Sequence, residues 1–184
     1  MRRAARSVNR QGRCIGYDAA AFLFGDDMTQ RPPIPDPPYH GGCLCGQVRW
    51  TLNARPKAIN ACHCDQCKIS TGSTHIEMLI AAADAFTTTG ETATFIKTAE
   101  SGRQLEIHRC SKCGTRVHHY NMANRALVFI PAFTLDNFAW AIPTSHIWVE
   151  KVSPGVAIRD DAVQVVGQPT DRQVLMDAFT KVYG

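Results

Sequence analysis

Seven of the eight cysteines lie in three short clusters along the chain. The clusters are Cys43-Leu44-Cys45, Cys62-His63-Cys64-Asp65-Gln66-Cys67 and Cys110-Ser111-Lys112-Cys113. Such spacings are typical of zinc sites, because zinc takes four ligands in a tetrahedron and nearby thiolates can converge on one ion. Seven thiolates complete one tetrahedron and leave a second one ligand short. A complete site stabilises a fold, whereas a site with an open position can also bind a substrate.

Disulfides are the alternative use of so many cysteines, and they are usual in small secreted proteins. This chain has 184 residues, which suits one domain with its own hydrophobic core. Residues 19–24 are too short an apolar stretch for a signal peptide. A bond between Cys43 and Cys45 would also close a strained ring. We therefore expect metal binding in a reducing, cytoplasmic setting.

Charge and hydropathy argue against two classes of partner. The formal net charge is +4 with neutral thiols. Two zinc ions and seven thiolates would bring it to about +1, so we expect no nucleic-acid-binding face. No apolar run approaches the roughly 20 residues of a membrane-spanning helix, so we expect no membrane partner. The sequence carries no signal for the oligomeric state.

Alternation of apolar and polar residues predicts a mainly β fold from Gly41 onward. Val48, Trp50 and Leu52, for example, alternate with polar residues as on a half-buried strand. Further strands are predicted at residues 74–80, 93–97, 103–109, 116–120, 127–131 and 146–149. Two helices are predicted, a short one at residues 65–69 and a longer one at residues 171–182 that Thr170 caps.

The chain is predicted to have three parts. Residues 1–39 form an N-terminal extension that ends in a proline-rich linker, and the prolines of residues 31–38 make that linker extended, stiff and solvated. Met28 is an alternative start, and Cys14 in this segment is interpreted as a bystander thiol. Residues 40–162 contain the cysteine clusters and form the zinc domain. Residues 163–184 form a C-terminal helical appendage.

The seven clustered thiolates can be shared between two ions in two ways. A sequential arrangement assigns them as Cys43, Cys45, Cys62 and Cys64, then Cys67, Cys110 and Cys113. An interleaved arrangement assigns them as Cys43, Cys45, Cys110 and Cys113, then Cys62, Cys64 and Cys67. We favour the interleaved arrangement because it keeps each local cluster intact. Cysteines two apart on a strand point to one face, and a C-x-x-C turn presents both sulfurs to one ion.

The histidines near the clusters are weaker candidates for ligands. His63 lies between two cysteines on a predicted strand, so its ring should point away from theirs. We expect it to form part of the wall and, with His75 as the alternative, to deliver a proton in catalysis. His118 and His119 are interpreted as strand residues. His75 and Asp65 are weaker candidates for the fourth ligand of the open site than water or a substrate sulfur.

Taken together, the clusters resemble the glutathione-dependent formaldehyde-activating enzyme family, whose domain also occurs in centromere-protein-V-like proteins. The resemblance rests on residues 42–50, on residues 62–68 with Gly72, and on residues 110–115. Over residues 40–162 it implies a mainly β zinc fold of two curled antiparallel sheets, a β-tent, with short helices. It also implies two zinc ions: a structural one on Cys43, Cys45, Cys110 and Cys113, and a catalytic one on Cys62, Cys64 and Cys67.

The function that the resemblance implies is that of a carbon–sulfur lyase of the S-(hydroxymethyl)glutathione synthase type. Such an enzyme adds the thiol of glutathione to formaldehyde, or reverses that addition. Its partners would be a small thiol and an aldehyde, and Cys62, Cys64 and Cys67 would be its catalytic zinc ligands. We add His63 as a catalytic residue on the separate hypothesis of proton delivery.

The substrate's carboxylates need cationic partners, for which Lys68, Arg49 and Lys112 are candidates. Two other functions remain open. One is a non-catalytic structural zinc protein that serves as an interaction module. The other is a thiol–disulfide switch between Cys62 and Cys67.

Overall fold

The computed structural model describes residues 31–184. Residues 1–30, with Met28 and Cys14, lie outside the described residues. Within the described part, eleven strands and two α-helices are joined by loops and three short 3-10 turns. The strands form two separate sheets. The prediction of a mainly β fold with two sheets and short helices is therefore confirmed.

The strands and helices are numbered in the order in which they occur along the chain. The first strands are β1 (Tyr39–Gly42), β2 (Arg49–Leu52), β3 (Ala58–Cys62), β4 (Ile76–Ala82), β5 (Phe86–Thr89) and β6 (Thr92–Thr98). The later strands are β7 (Gln104–Cys110), β8 (Arg116–Asn121), β9 (Asn124–Pro131), β10 (Ser145–Ile147) and β11 (Val163–Val165). The helices are α1 (Asp65–Thr71) and α2 (Gln173–Tyr183).

The smaller sheet has the order β1-β2-β5 and is antiparallel. The ring of Trp50, on the central strand, packs against Phe86 and lies directly over Gly41. A Cβ atom at position 41 would come within 2.3 Å of the Trp50 ring. Glycine is therefore required at position 41, because only its bare backbone leaves room for the indole.

The larger sheet has the order β11-β10-β3-β4-β9-β8-β7-β6. Strand β10 runs parallel to both β3 and β11, and the other pairings are antiparallel. The sheet is therefore not purely antiparallel, which is where it differs from the predicted arrangement. All five residues of β3 are buried, because β3 lies inside the sheet and helix α2 packs against it.

Both ends of the described chain contribute to the core. Residues 31–36 form no helix or strand, as the prolines predict. Ile34 is nevertheless buried in the core, and the Tyr39 hydroxyl donates a hydrogen bond to the Pro35 carbonyl at 2.7 Å. At the other end, β11 extends the larger sheet and α2 buries Leu175 and Phe179. Neither helix of residues 31–184 has the length and apolar character that a bilayer crossing requires.

Candidate metal centres and candidate active site

Four cysteines from distant parts of the chain form the first cluster, which we call the four-cysteine cluster. It consists of Cys43, Cys45, Cys110 and Cys113, whose sulfurs all lie within 4.8 Å of one another. The Cys43 and Cys45 sulfurs are 3.5 Å apart, and those of Cys45 and Cys110 are 3.7 Å apart. A tetrahedron with Zn–S bonds of 2.3 Å has edges of about 3.8 Å. The spacing of the sulfurs therefore suits a zinc ion.

Local hydrogen bonds hold these sulfurs in place. The backbone N–H of Val48 donates to the Cys43 sulfur at 3.2 Å. Gly114 follows the C-x-x-C turn with φ +72°, a conformation that favours glycine, and its N–H donates to the Cys110 carbonyl at 2.9 Å. The Thr115 hydroxyl lies 3.3 Å from the Cys113 sulfur. That hydrogen bond is the main cause that lowers the pKa of Cys113 to about 5.

The remaining three clustered cysteines form the three-cysteine cluster: Cys62, Cys64 and Cys67. Their sulfurs also lie within 4.8 Å of one another. Cys62 ends strand β3, Cys64 immediately precedes helix α1, and Cys67 lies in the helix's first turn. The N–H of Cys67 donates to the Cys64 carbonyl at 3.0 Å, which closes the turn that brings the two sulfurs together.

Mutual contacts control the ionisation of the three-cysteine cluster. Hydrogen bonds from Cys62 and Cys67 lower the pKa of Cys64 to about 2. The same contacts with Cys64 and Cys67, together with burial, raise the pKa of Cys62. The three thiols therefore do not ionise independently, because their mutual hydrogen bonds favour the thiolate of Cys64 and disfavour that of Cys62. Three thiolates at this distance require a cation to balance them.

The three-cysteine cluster opens onto a cavity that is the candidate active site, and we call it the active-site cavity. All three cysteines line it, whereas none of the four-cysteine cluster does. Its wall carries four cationic side chains, which are Lys97, Arg103, Arg116 and Arg172. Its one carboxylate, Glu100, forms an ion pair with Lys151. Within the described residues, the cavity is therefore positively charged.

His63 does not line the active-site cavity, although its two sequence neighbours Cys62 and Cys64 do. Its side chain is completely buried, with Nε2 2.9 Å from Nδ1 of His146. The centroid of the His75 ring lies 5.0 Å from that of the His63 ring. Burial is the main cause that lowers the pKa of His63 to about 4.

The other predicted polar residues lie elsewhere. Arg49 forms an ion pair with Asp136. Lys68 lies 3.5 Å from Asp65 and also donates to the Lys151 carbonyl. Lys112 is exposed beside the four-cysteine cluster. None of the residues predicted to hold carboxylates, Arg49, Lys68 and Lys112, lines the active-site cavity.

Four cavity residues from β8, β9 and the start of α2 were not predicted as site residues. They are Arg116, His119, Phe129 and Arg172. The guanidinium of Arg172 lies over the Phe129 ring at 5.1 Å from its centroid, and Phe129 stacks on the His119 ring. Arg116 donates from Nη2 to Nδ1 of His119 at 2.9 Å. These residues carry no motif, because they come together only through the pairing of the strands.

Trp148 forms another part of the cavity wall and has an unusual backbone. Its φ angle is +60°, in the left-handed region that large side chains rarely adopt. Its N–H donates to the Gly167 carbonyl at 3.0 Å, and the Lys151 ammonium lies 5.2 Å from its ring centroid. Backbone strain of this kind is concentrated at functional sites, which agrees with the place of Trp148 on the cavity wall.

Comparison with known proteins identifies the family. A sequence model of the glutathione-dependent formaldehyde-activating enzyme family matches residues 38–151, more than half of the chain. The chain belongs to this family, and membership supports thiol–aldehyde chemistry in general. No curated protein matches the chain. A crystal structure of a Rhodobacter sphaeroides protein is similar at 15% identity and a TM-score of 0.39, covering 68% of this chain and 98% of that one.

Proposed function

We propose that this protein is a zinc-dependent carbon–sulfur lyase that adds a small thiol to an aldehyde, or reverses that addition. Glutathione and formaldehyde are the substrates we propose, in a reducing cytoplasm. One observation carries the proposal: the three-cysteine cluster lines the positively charged cavity, and the complete four-cysteine cluster does not. Membership of the family supports the same chemistry.

The two clusters have different roles in this proposal. The four-cysteine cluster would hold a structural zinc, since four sulfurs complete a tetrahedron. The three-cysteine cluster would hold a second zinc. Bound there, zinc supplies the charge that keeps the three sulfurs as thiolates and an open coordination position that a substrate thiol can take.

The cations of the active-site cavity would orient the thiol substrate. Glutathione carries two carboxylates and one ammonium, so an excess of cationic side chains suits it. Lys97, Arg103 and Arg172 lie on the cavity wall and take the role that the sequence had assigned to Arg49, Lys68 and Lys112. Hydrogen bonds between guanidinium and carboxylate groups are among the strongest that side chains form, because both partners are charged.

The reaction itself needs few groups. The substrate sulfur loses its proton to solvent and attacks the aldehyde carbon, which forms the carbon–sulfur bond. The π electron pair of the carbonyl moves to oxygen, which then takes a proton to give the hydroxyl. Apolar side chains such as Phe129, Ile147 and Trp148 line the cavity, and they exclude bulk water that would compete with the thiol for the aldehyde.

The test is the rate of exchange between free formaldehyde and S-hydroxymethylglutathione, measured by NMR with and without the zinc-loaded protein. We expect the protein to accelerate exchange above the spontaneous rate, and the Lys112→Ala variant to match the wild type because Lys112 is exposed outside the cavity. Exchange at the spontaneous rate, with both zinc ions bound, would reject the lyase and favour the interaction module.

A further inference from the structure

Arg116 is a buried cation that lacks a carboxylate partner among residues 31–184. Only 9% of its surface is exposed, and its Nε atom has no hydrogen-bond partner within the described residues. Buried guanidinium groups normally form ion pairs, because an unpaired buried charge is costly. Arg116 lies on the wall of the active-site cavity with the three cysteines. Its charge can therefore offset the net negative charge of a zinc ion held by three thiolates.

The hydrogen bond between Arg116 and His119 fixes which nitrogen of the histidine carries the proton. Nη2 of Arg116 lies 2.9 Å from Nδ1 of His119. A guanidinium has donors and no acceptor, so Nδ1 must accept. The single proton of a neutral imidazole must then be on Nε2. Burial, reinforced by the charge of Arg116, holds the pKa of His119 well below its usual value, so the ring remains neutral at physiological pH.

The position of the His119 ring is also fixed. It stacks on Phe129 with ring centroids 4.6 Å apart and an interplanar angle of 22°. The two residues are register partners on β8 and β9, and Ile107 is the partner on the other side. Only 7% of His119 is exposed, and it lines the active-site cavity. The Nε2–H group is therefore a preorganised neutral donor available to a group bound in the cavity.

We infer that His119 is a catalytic residue that donates a hydrogen bond from Nε2 to the aldehyde oxygen, and that Arg116 is the positioning residue that sets its tautomer. This inference rests on the proposed function. As the substrate sulfur bonds to carbon, the carbonyl π pair becomes an oxyanion, and the hydrogen bond strengthens as that charge develops. His119 keeps its proton throughout. The proton that completes the hydroxyl comes from solvent, which also received the proton of the thiol.

The kinetic test compares two substitutions at position 119 with one at position 118. His119→Phe should lower kcat/KM for thiol addition by about 100-fold, the usual effect of losing one oxyanion donor. His119→Gln should retain activity within about tenfold of the wild type, because its amide nitrogen can replace Nε2–H. His118→Phe is the matched control, since His118 is buried on the same strand but does not line the cavity. Zinc content is measured for each variant.

A second test determines the tautomer of His119 and does not rely on activity. In ¹⁵N-histidine NMR of the zinc-loaded protein, the resonances that His119→Phe removes identify His119. We expect them to show an Nε2-protonated neutral ring from pH 6 to 8. In Arg116→Met, the signals should shift toward a mixture of tautomers, and kcat should fall by about tenfold with a smaller change in KM.

The outcomes separate this inference from the proposed function. Wild-type activity together with a fully active, zinc-loaded His119→Phe variant would overturn only the role of His119. An Nδ1-protonated ring or an imidazolium in the wild type would overturn the role of Arg116. No acceleration by the wild-type protein would reject the proposed function and the catalytic role of His119 with it, whatever tautomer is observed.

Discussion

The sulfur of Cys45 lies 3.7 Å from the sulfur of Cys110, although 65 residues separate them in the sequence. Cys45 lies in the turn between β1 and β2 of the smaller sheet, and Cys110 ends β7 of the larger sheet. An ion held by both sulfurs would therefore tie the two sheets together. Metal binding can offset the entropy lost in closing so long a loop.

Replacement of Cys110 should destabilise the whole fold. Cys110→Ser removes one of four sulfurs from a site whose zinc would stabilise folding by several kcal/mol. We expect the free energy of unfolding to fall by about 3 kcal/mol or more, with loss of one zinc per chain. Denaturant unfolding and metal analysis measure both effects. Lys112→Ala, an exposed neighbour, is the control, and equal stability of the two variants would contradict a structural site.

Replacement of Cys62 should affect activity more than the stability of the fold. Cys62→Ser removes a sulfur from the three-cysteine cluster, which lines the cavity and does not join the sheets. We expect loss of the second zinc and of thiol-dependent turnover. The free energy of unfolding should fall by less than it does in Cys110→Ser, because the lost ion does not join the two sheets and the substitution nearly preserves volume. Metal analysis, turnover and unfolding are measured on one preparation. Normal turnover would reject the assignment.

Arg103 on the cavity wall should contribute to binding of the anionic thiol. Arg103→Ala removes a charged hydrogen-bond donor, and such bonds contribute about 1.5–3 kcal/mol. We expect KM for glutathione to rise by at least about tenfold with kcat little changed. Arg49→Ala is the matched control, because Arg49 pairs with Asp136 outside the cavity. If both variants raise KM equally, the cavity cations have no specific role.

Glu106 should make the stability of the fold sensitive to acid. Hydrogen bonds from His108 and Arg125 hold its pKa below the usual 4.5. Above pH 4.5 the carboxylate is ionised in both states, and its contacts stabilise the folded state. As the pH falls through the lower folded pKa, the unfolded state binds the proton more tightly and this stability is lost.

The Glu106→Gln variant isolates this contribution. We expect it to be less stable than the wild type by about 1 kcal/mol above pH 5, and the difference should disappear as the pH falls toward 3. Denaturant unfolding across this range measures the difference, and loss of metal at low pH affects both proteins alike. A gap that stays constant with pH would show that ionisation of Glu106 has no part in it.

Residue patterns in the sequence predicted seven of the eleven strands in the described part of the chain and missed the other four. Strands β4 and β6 to β10 contain stretches predicted from the sequence, and β2 lies where Trp50 and Leu52 alternate with polar residues. Strand β3 has no alternation, because neighbouring strands and α2 bury all of its residues. Strand β1 ends in two glycines and β5 in three threonines, so neither alternates apolar with polar residues. The three residues of β11 are too few to show a period on their own.

Sequence patterns likewise predicted some residues of the candidate site and missed others. The cysteines were visible because metal ligands recur at short sequence spacings, and the structure brings them together in the interleaved grouping. His119 and Arg116 were missed because their roles depend on burial, on Phe129 of the neighbouring strand, and on sharing a cavity with distant cysteines. His63 was singled out for its place between two cysteines, but it follows the end of β3 and its buried ring contacts His146 rather than the cavity.

The central claim is that one zinc ion has four cysteine sulfurs and the other has three. Zinc-edge X-ray absorption of the purified protein, combined with metal analysis, tests it most directly. Both are measured before and after glutathione is added. Two zinc ions with four and three cysteine sulfurs average about 3.5 sulfurs per zinc. We predict two zinc ions per chain and a rise in this average to about 4 when the thiol is added. One zinc per chain, or an average of four sulfurs that glutathione does not change, would contradict an open three-cysteine site.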